Sequence, residues 1–249
     1  MKSTLFKTAL YMIALALFPA TAHCLSPPKS NSIPPAFVLM RAKCRTCNNV
    51  RPVLALLRAY YRPCKHDASI GTPWRGRLAC GRLLPKHARL RILSTAVFGT
   101  QATITILHNA ADFLERVDPG GPPLEVLDIS LPHGGAFPHS HVSHKSGRDV
   151  DLHFTYHADR QPTDIYPEAP LAWIDVPRTW LTIEGLLASR QVKIILIDYD
   201  VQKLLYEHVR ATRSPWKRRL FQYPHGKSRR RGLIRHWPHH RCHMHVRFK

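Results

Sequence analysis

The sequence predicts an α+β protein with a small, mainly antiparallel sheet and flanking helices. Three observations carry the prediction. Helical and strand periodicities both occur, without the regular βα alternation of a parallel doubly wound sheet. The C-terminal run His243-Met244-His245-Val246-Arg247-Phe248 alternates as a strand does, placing His243, His245 and Arg247 on one face and Met244, Val246 and Phe248 on the other. Val150 to Tyr156 alternates in the same way and puts Asp149, Asp151 and His153 on one face. The apolar faces suit a core. Imidazoles, carboxylates and a guanidinium gathered on the opposite face suit a metal and its substrate.

The elements follow in order. Met1 to Ala22 reads as a secretory signal: Lys2 and Lys7 are the basic start, Ala9 to Phe18 is an apolar run short for a membrane span, and Ala20-Thr21-Ala22 is a small-residue cleavage site. An uncleaved anchor helix is the competing reading. Residues 23–80 read as a basic, cysteine-containing N-terminal segment, and 81–249 as the main domain. Val50 to Tyr61 has helical spacing behind Pro52, whereas Cys64 to Pro85 reads as irregular. Thr100 to Val117 carries one apolar stripe (Ile106, Leu107, Ala110, Phe113, Leu114, Val117) and predicts a helix. Leu124 to Leu131 predicts a strand. Residues 157–178 are proline-rich and loop-like. Trp180 to Arg190 and Val201 to Ala211 predict helices on either side of a buried strand at Val192 to Ile197. Arg213 to Arg235 reads as a basic, solvated loop around Ser228-Arg229-Arg230-Arg231.

Composition bounds the function. Lys and Arg number 37 against 16 Asp and Glu, for a net charge of +21. Such a surface attracts polyanions, whether nucleic acid, anionic lipid or acidic envelope polymers. Export makes disulfides the default for Cys24, Cys44, Cys47, Cys64, Cys80 and Cys242, an even set. Cys44-Arg45-Thr46-Cys47 lacks the second pair that a zinc ribbon needs.

A catalytic zinc takes about three protein ligands and leaves a fourth position for water. His144 precedes Asp151 in the chain, and Gly147 between them lets the loop turn back, so both can reach one ion. His245 supplies a third donor from the last strand. His243, on the same face, is the first candidate for general base, and His240, in the loop before the strand, is the second. His141 is close enough in sequence to His144 to be an outer group or an extra ligand. Arg247 is placed to hold a substrate carboxylate or an oxyanion. On the residues alone, a zinc hydrolase is favoured. A non-catalytic polyanion-binding protein and a nuclease compete with it.

Ser143-His144-Lys145-Ser146-Gly147-Arg148-Asp149-Val150-Asp151-Leu152 resembles the first metal motif of the penicillin-insensitive murein endopeptidases, and His240-Arg241-Cys242-His243-Met244-His245-Val246-Arg247 resembles their second. Leu127-Asp128-Ile129-Ser130 with Gly134-Gly135, and Phe98-Gly99-Thr100, are also similar. The resemblance runs from about Gly81 to the C-terminus. It implies a periplasmic zinc endopeptidase of the lysostaphin, D-Ala-D-Ala peptidase and hedgehog-type fold, acting on D-alanyl–diaminopimelyl cross-links of peptidoglycan. It implies zinc at His144, Asp151 and His245, catalytic roles for His243 and His240, and His141 close by. Nucleic acid is then not an expected partner, and the positive charge would hold the enzyme on anionic envelope polymers. A D,D-carboxypeptidase with the same site is the alternative.

Overall fold

The computed structural model describes residues 50–61, 67–137, 141–162, 169–212 and 214–249. The expected signal segment, and the cysteines other than Cys80 and Cys242, lie outside the described residues, and with them the expected disulfide pairing. The described residues belong to one compact unit, Cys44–Lys249. None of their helices is long and apolar enough to cross a membrane.

The elements are α1 (Arg51–Tyr60), β1 (Ala68–Gly71), β2 (Gly76–Ala79), β3 (Arg82–Leu83), β4 (Leu90–Ile92), β5 (Phe98–Gly99), α2 (Gln101–Val117), β6 (Leu124–Val126) and β7 (Asp149–His153). After them come α3 (Val176–Leu187), β8 (Val192–Ile197), α4 (Tyr199–Ala211), α5 (Pro215–Arg218), β9 (Ile234–His236) and β10 (His243–Phe248). The architecture is α+β. The main sheet has six strands in the order β4-β6-β7-β10-β8-β9. Its central pairings, β6 with β7, β7 with β10 and β10 with β8, are antiparallel, and the two outer pairings are parallel.

The helices form where side chains close their ends and an apolar stripe can be buried. Thr100 caps α2 by accepting from the Thr103 backbone N–H, and Ile104, Leu107, Ala110, Ala111 and Leu114 face inward. Asp175 caps α3 by accepting from the Arg178 N–H, with Pro177 in the first turn. That cap starts the helix at Val176, earlier than the proline-rich composition suggests. Gly185 lets α3 approach α2 closely, since a Cβ there would lie 2.9 Å from Phe113. On β10, Met244, Val246 and Phe248 are buried on the apolar face.

Three stretches differ from the sequence reading. Residues 68–79, expected to be irregular, form the β1–β2 hairpin. Its strands lack an apolar alternation because the hairpin is held through its backbone, with Leu78 N–H donating to the His133 carbonyl at 3.0 Å and Lys145 N–H to the Pro73 carbonyl at 3.0 Å. Leu124 to Leu131 forms a regular strand only at Leu124–Val126. Beyond it, the backbone N–H of Leu127 donates to Asp151 and that of Ile129 to Ala96. The basic stretch after residue 213 contains α5 and β9.

Candidate metal centre

The site is built on the antiparallel neighbours β7 and β10. Their register sets His245 opposite Asp151, Arg247 opposite Asp149 and His243 opposite His153. All of these side chains therefore share one face, as the alternation predicts. The third contributor is the loop ahead of β7. Gly147, at φ +71°, turns it, and a Cβ there would lie 2.9 Å from Leu78 and 3.1 Å from the Thr100 nitrogen. The Gly147 carbonyl accepts from the Thr100 N–H at 3.1 Å and the Thr103 hydroxyl at 2.8 Å, so the start of α2 grips the loop. Asp149 closes it by accepting from the His144 N–H at 3.0 Å. His144 itself sits at φ +66°, a left-handed conformation unusual for a residue with a Cβ.

These constraints bring three donors together. His144 Nε2 is 3.2 Å from Asp151 Oδ1 and 3.1 Å from His245 Nδ1, and His245 Nδ1 is 2.9 Å from the same carboxylate oxygen. A tetrahedral zinc with bonds of about 2.0–2.1 Å sets its ligand atoms about 3.3 Å apart, so this triangle matches one face of such a site. His141 adds a fourth donor, with Nδ1 3.8 Å from Asp151 Oδ2. Ligand atoms of His141, His144 and Asp151 all lie within 4.8 Å of one another, a second triad that shares two members with the first.

The outer contacts fix which nitrogen of each ring is available. His144 Nδ1 donates to the Ile129 carbonyl at 2.9 Å, leaving Nε2 to face the carboxylate. His141 Nε2 lies 3.0 Å from Asp128 Oδ2, leaving Nδ1 inward. His245 Nε2 is buried, without a well-aligned hydrogen bond, 3.5 Å from Asp149 Oδ1. Imidazoles that bind metals characteristically hold the far nitrogen against a carboxylate or carbonyl in this way. The donor set therefore fits a divalent ion such as zinc.

Charge balance inside the face is tight. Burial pushes the Asp149 and Asp151 carboxyls up, but the surrounding histidines, and Arg247 at Asp149, override it and hold both well below the usual carboxylate range. Burial lowers His245, yet the Asp149 carboxylate beside Nε2 and the hydrogen bond of Nδ1 to Asp151 raise it on balance to about 9 in the absence of metal. For His240 and His243 burial outweighs the opposing pull of Asp151 and, at His240, of the Pro238 carbonyl. Burial lowers them to about 4 and about 3, so both are neutral imidazoles near pH 7.

His243 Nε2 lies 3.9 Å from Asp151 Oδ1, and its Nδ1 lies 3.2 Å from Sγ of Cys242. The His240 ring sits 4.7 Å from that of His243 and 5.9 Å from that of His245. Its Nδ1 donates to the Pro238 carbonyl at 2.8 Å, so Nε2 carries the lone pair. Arg247 is engaged from two sides: Nε donates to Asp149 Oδ1 at 2.7 Å, and the guanidinium lies 5.0 Å from the Trp74 ring centre.

The structure thus gathers His141, His144, Asp151, His240, His243 and His245 in one place. Sequence reasoning missed the role of Asp128, which is fully buried and also accepts from the Ser94 hydroxyl at 2.5 Å. A charged residue inside the apolar run Leu127-Asp128-Ile129 was the available signal.

The sequence matches a family model of the penicillin-insensitive murein endopeptidases over residues 69–249, which includes every residue just named and begins within the β1–β2 hairpin. A penicillin-insensitive murein endopeptidase of Pectobacterium atrosepticum is 27% identical over 199 residues, covering 73% of this chain and 64% of the relative. One from Yersinia enterocolitica is 25% identical over 166 residues, covering 61% of this chain and 54% of the relative. The chain therefore spans less than two thirds of the length of these curated relatives. On the extent of the family match, the chain belongs to the penicillin-insensitive murein endopeptidase family.

Proposed function

We propose that this chain is an exported zinc metallo-endopeptidase that hydrolyses D-alanyl–diaminopimelyl cross-links in peptidoglycan. The observation that carries the reading is the convergence of His144 Nε2, His245 Nδ1 and Asp151 Oδ1 within 2.9–3.2 Å of one another in a member of this family. His144, Asp151 and His245 would hold the ion, with His141 as a further donor. Two ligand-bearing strands paired at the centre of a small sheet also support assignment to the lysostaphin, D-Ala-D-Ala peptidase and hedgehog-type fold.

When bound there, zinc supplies Lewis acidity and a bound water of lowered pKa. The protein supplies the proton chemistry. A neutral imidazole beside the reacting atoms can accept a proton and later return it to a leaving amine. His243 and His240 are both neutral near pH 7, and His240 Nε2 is the acceptor its Pro238 contact leaves over. The Arg247–Asp149 pair holds β10 against β7 and keeps Asp149 charged next to His245. Arg247 could meet a substrate anion only with the guanidinium edges that Asp149 leaves over.

The test combines metal analysis of the purified protein with digestion of isolated muropeptides. Cross-linked dimers should be converted to monomers, chelation should stop the reaction, and added zinc should restore it. Release of terminal D-alanine from uncross-linked stems, with dimers left intact, would establish a carboxypeptidase instead. No cleavage of either substrate by metal-loaded protein would refute the reading.

A further inference from the structure

The basic stretch beyond residue 213 is exposed at Lys227 to Arg231, as a solvated run would be, but it is not loose. Its two ends are stitched together: Leu233 N–H donates to the Leu220 carbonyl at 2.7 Å, and Gln222 N–H to the Ile234 carbonyl at 2.8 Å. The nearly buried Gln222 side chain then fixes the turn. Its Nε2 donates to the Gly226 and Lys227 carbonyls at 2.8 and 2.7 Å, and its Oε1 accepts from the His236 N–H at 2.6 Å. Gly226 N–H is tied to the Tyr199 hydroxyl on α4 at 3.1 Å. Compact loops held by their own side chains in this way are often functional.

The closure leaves a cavity of about 240 Å³ beside α4 and α5. Arg218, Arg219 and Arg231 line it, with Tyr206, Phe221 and Pro224 as apolar walls. No Asp or Glu lines it, and residues 214–231 contain none. Among the described residues none of these three guanidiniums is in an ion pair, whereas nearby Lys217 pairs with Glu184 and Arg210 with Glu207. Arginine stays charged under all ordinary conditions. Three such cations around one preformed concavity repel one another until an anion joins them.

We propose that this cavity binds a phosphate ester. The guanidinium fork matches phosphate oxygens two at a time. Three forks suit a group with several anionic oxygens, and the aromatic and proline walls suit a ring-sized substituent on the ester. The cavity belongs to the β9 end of the sheet, where Phe221 bridges Ile234, and β8 lies between β9 and β10. It is therefore distinct from the metal centre, and the proposal stands whether or not the chain is a hydrolase. A phosphate ester could reach it on a lipid headgroup or on a soluble or polymer-borne sugar phosphate.

Calorimetric titration with glucose 1-phosphate, with glucose as the neutral control, tests the site on the full chain. Saturable binding is expected for the phosphate alone. The R218Q/R231Q variant should lose about tenfold or more in affinity. The charge-matched R229Q/R230Q variant, altered just outside the cavity, should stay within about twofold. An unchanged metal content and circular dichroism spectrum would show that both variants fold. Sedimentation with phosphatidylglycerol vesicles then identifies the source. A loss confined to R218Q/R231Q assigns the ester to a lipid headgroup, and vesicle binding equal in all three proteins assigns it to a soluble or polymer-borne phosphate. Absence of saturable binding to glucose 1-phosphate, or equal loss in both variants, would overturn the proposal.

Discussion

Asp151 is the hub of the candidate metal centre: its Oδ1 lies within 3.9 Å of nitrogens from His144, His243 and His245. Replacing His144, Asp151 or His245 with alanine removes one donor from a set of about three, so each variant should bind no zinc and show no hydrolysis. Metal content after dialysis checks this. His243→Ala removes a proton acceptor and keeps the donors, so metal content should hold while kcat falls by about 10²–10⁴. Asp149 sits one step outward and has three tasks: it accepts from Arg247 and from the His144 backbone, and it faces His245. Asp149→Asn leaves Arg247 partly buried without its counter-charge, which should cost about 3–5 kcal/mol of stability in a urea titration. The same change should weaken zinc binding about 10–100-fold in a chelator competition.

At the scale of the element, the loop ahead of β7 is the part most sensitive to backbone shape. Gly147 has φ +71°, and Leu78 and the Thr100 nitrogen leave no room for a Cβ. Gly147→Ala should therefore destabilise by about 1–3 kcal/mol and loosen the grip of α2 on the loop, lowering zinc affinity together with stability. A thermal melt and a metal titration on the same sample measure both. The glycine and the flanking His144 and Asp151 were legible in the sequence, because a turn residue between two candidate ligands is a local pattern. The β1–β2 hairpin was not. Its strands follow no apolar alternation and are fixed by backbone bonds to His133 and Lys145, remote residues that no local pattern points to.

At the scale of the whole molecule, the histidine cluster sets how stability depends on pH once metal is stripped. The folded pKa values of His240 and His243, about 4 and about 3, lie below the unfolded value near 6.5. Below pH 6.5 the unfolded chain takes up more protons, so stability falls as pH drops from 6.5 through that window. His245 runs the other way. Its folded value of about 9 means that its contribution is complete below pH 6.5 and is lost as pH rises through 9. Chelator-treated protein should thus melt at its highest temperature near pH 6.5 and lose stability on both sides. A melting temperature that is flat between pH 4 and 9 would contradict this account of the cluster.

The sequence alone determined the two candidate metal motifs, the strand faces of β7 and β10, the helix α2 and the α+β class. Each is a matter of residues within a few positions of one another, where period and turn chemistry act directly. Only the tertiary structure decided that His245 meets Asp151, that Asp128 turns His141 inward, that Asp149 engages Arg247, and that the basic loop folds shut around a cavity. Those contacts join segments far apart in the chain. Sheet register and packing set them, and neither is written in the local pattern of either segment.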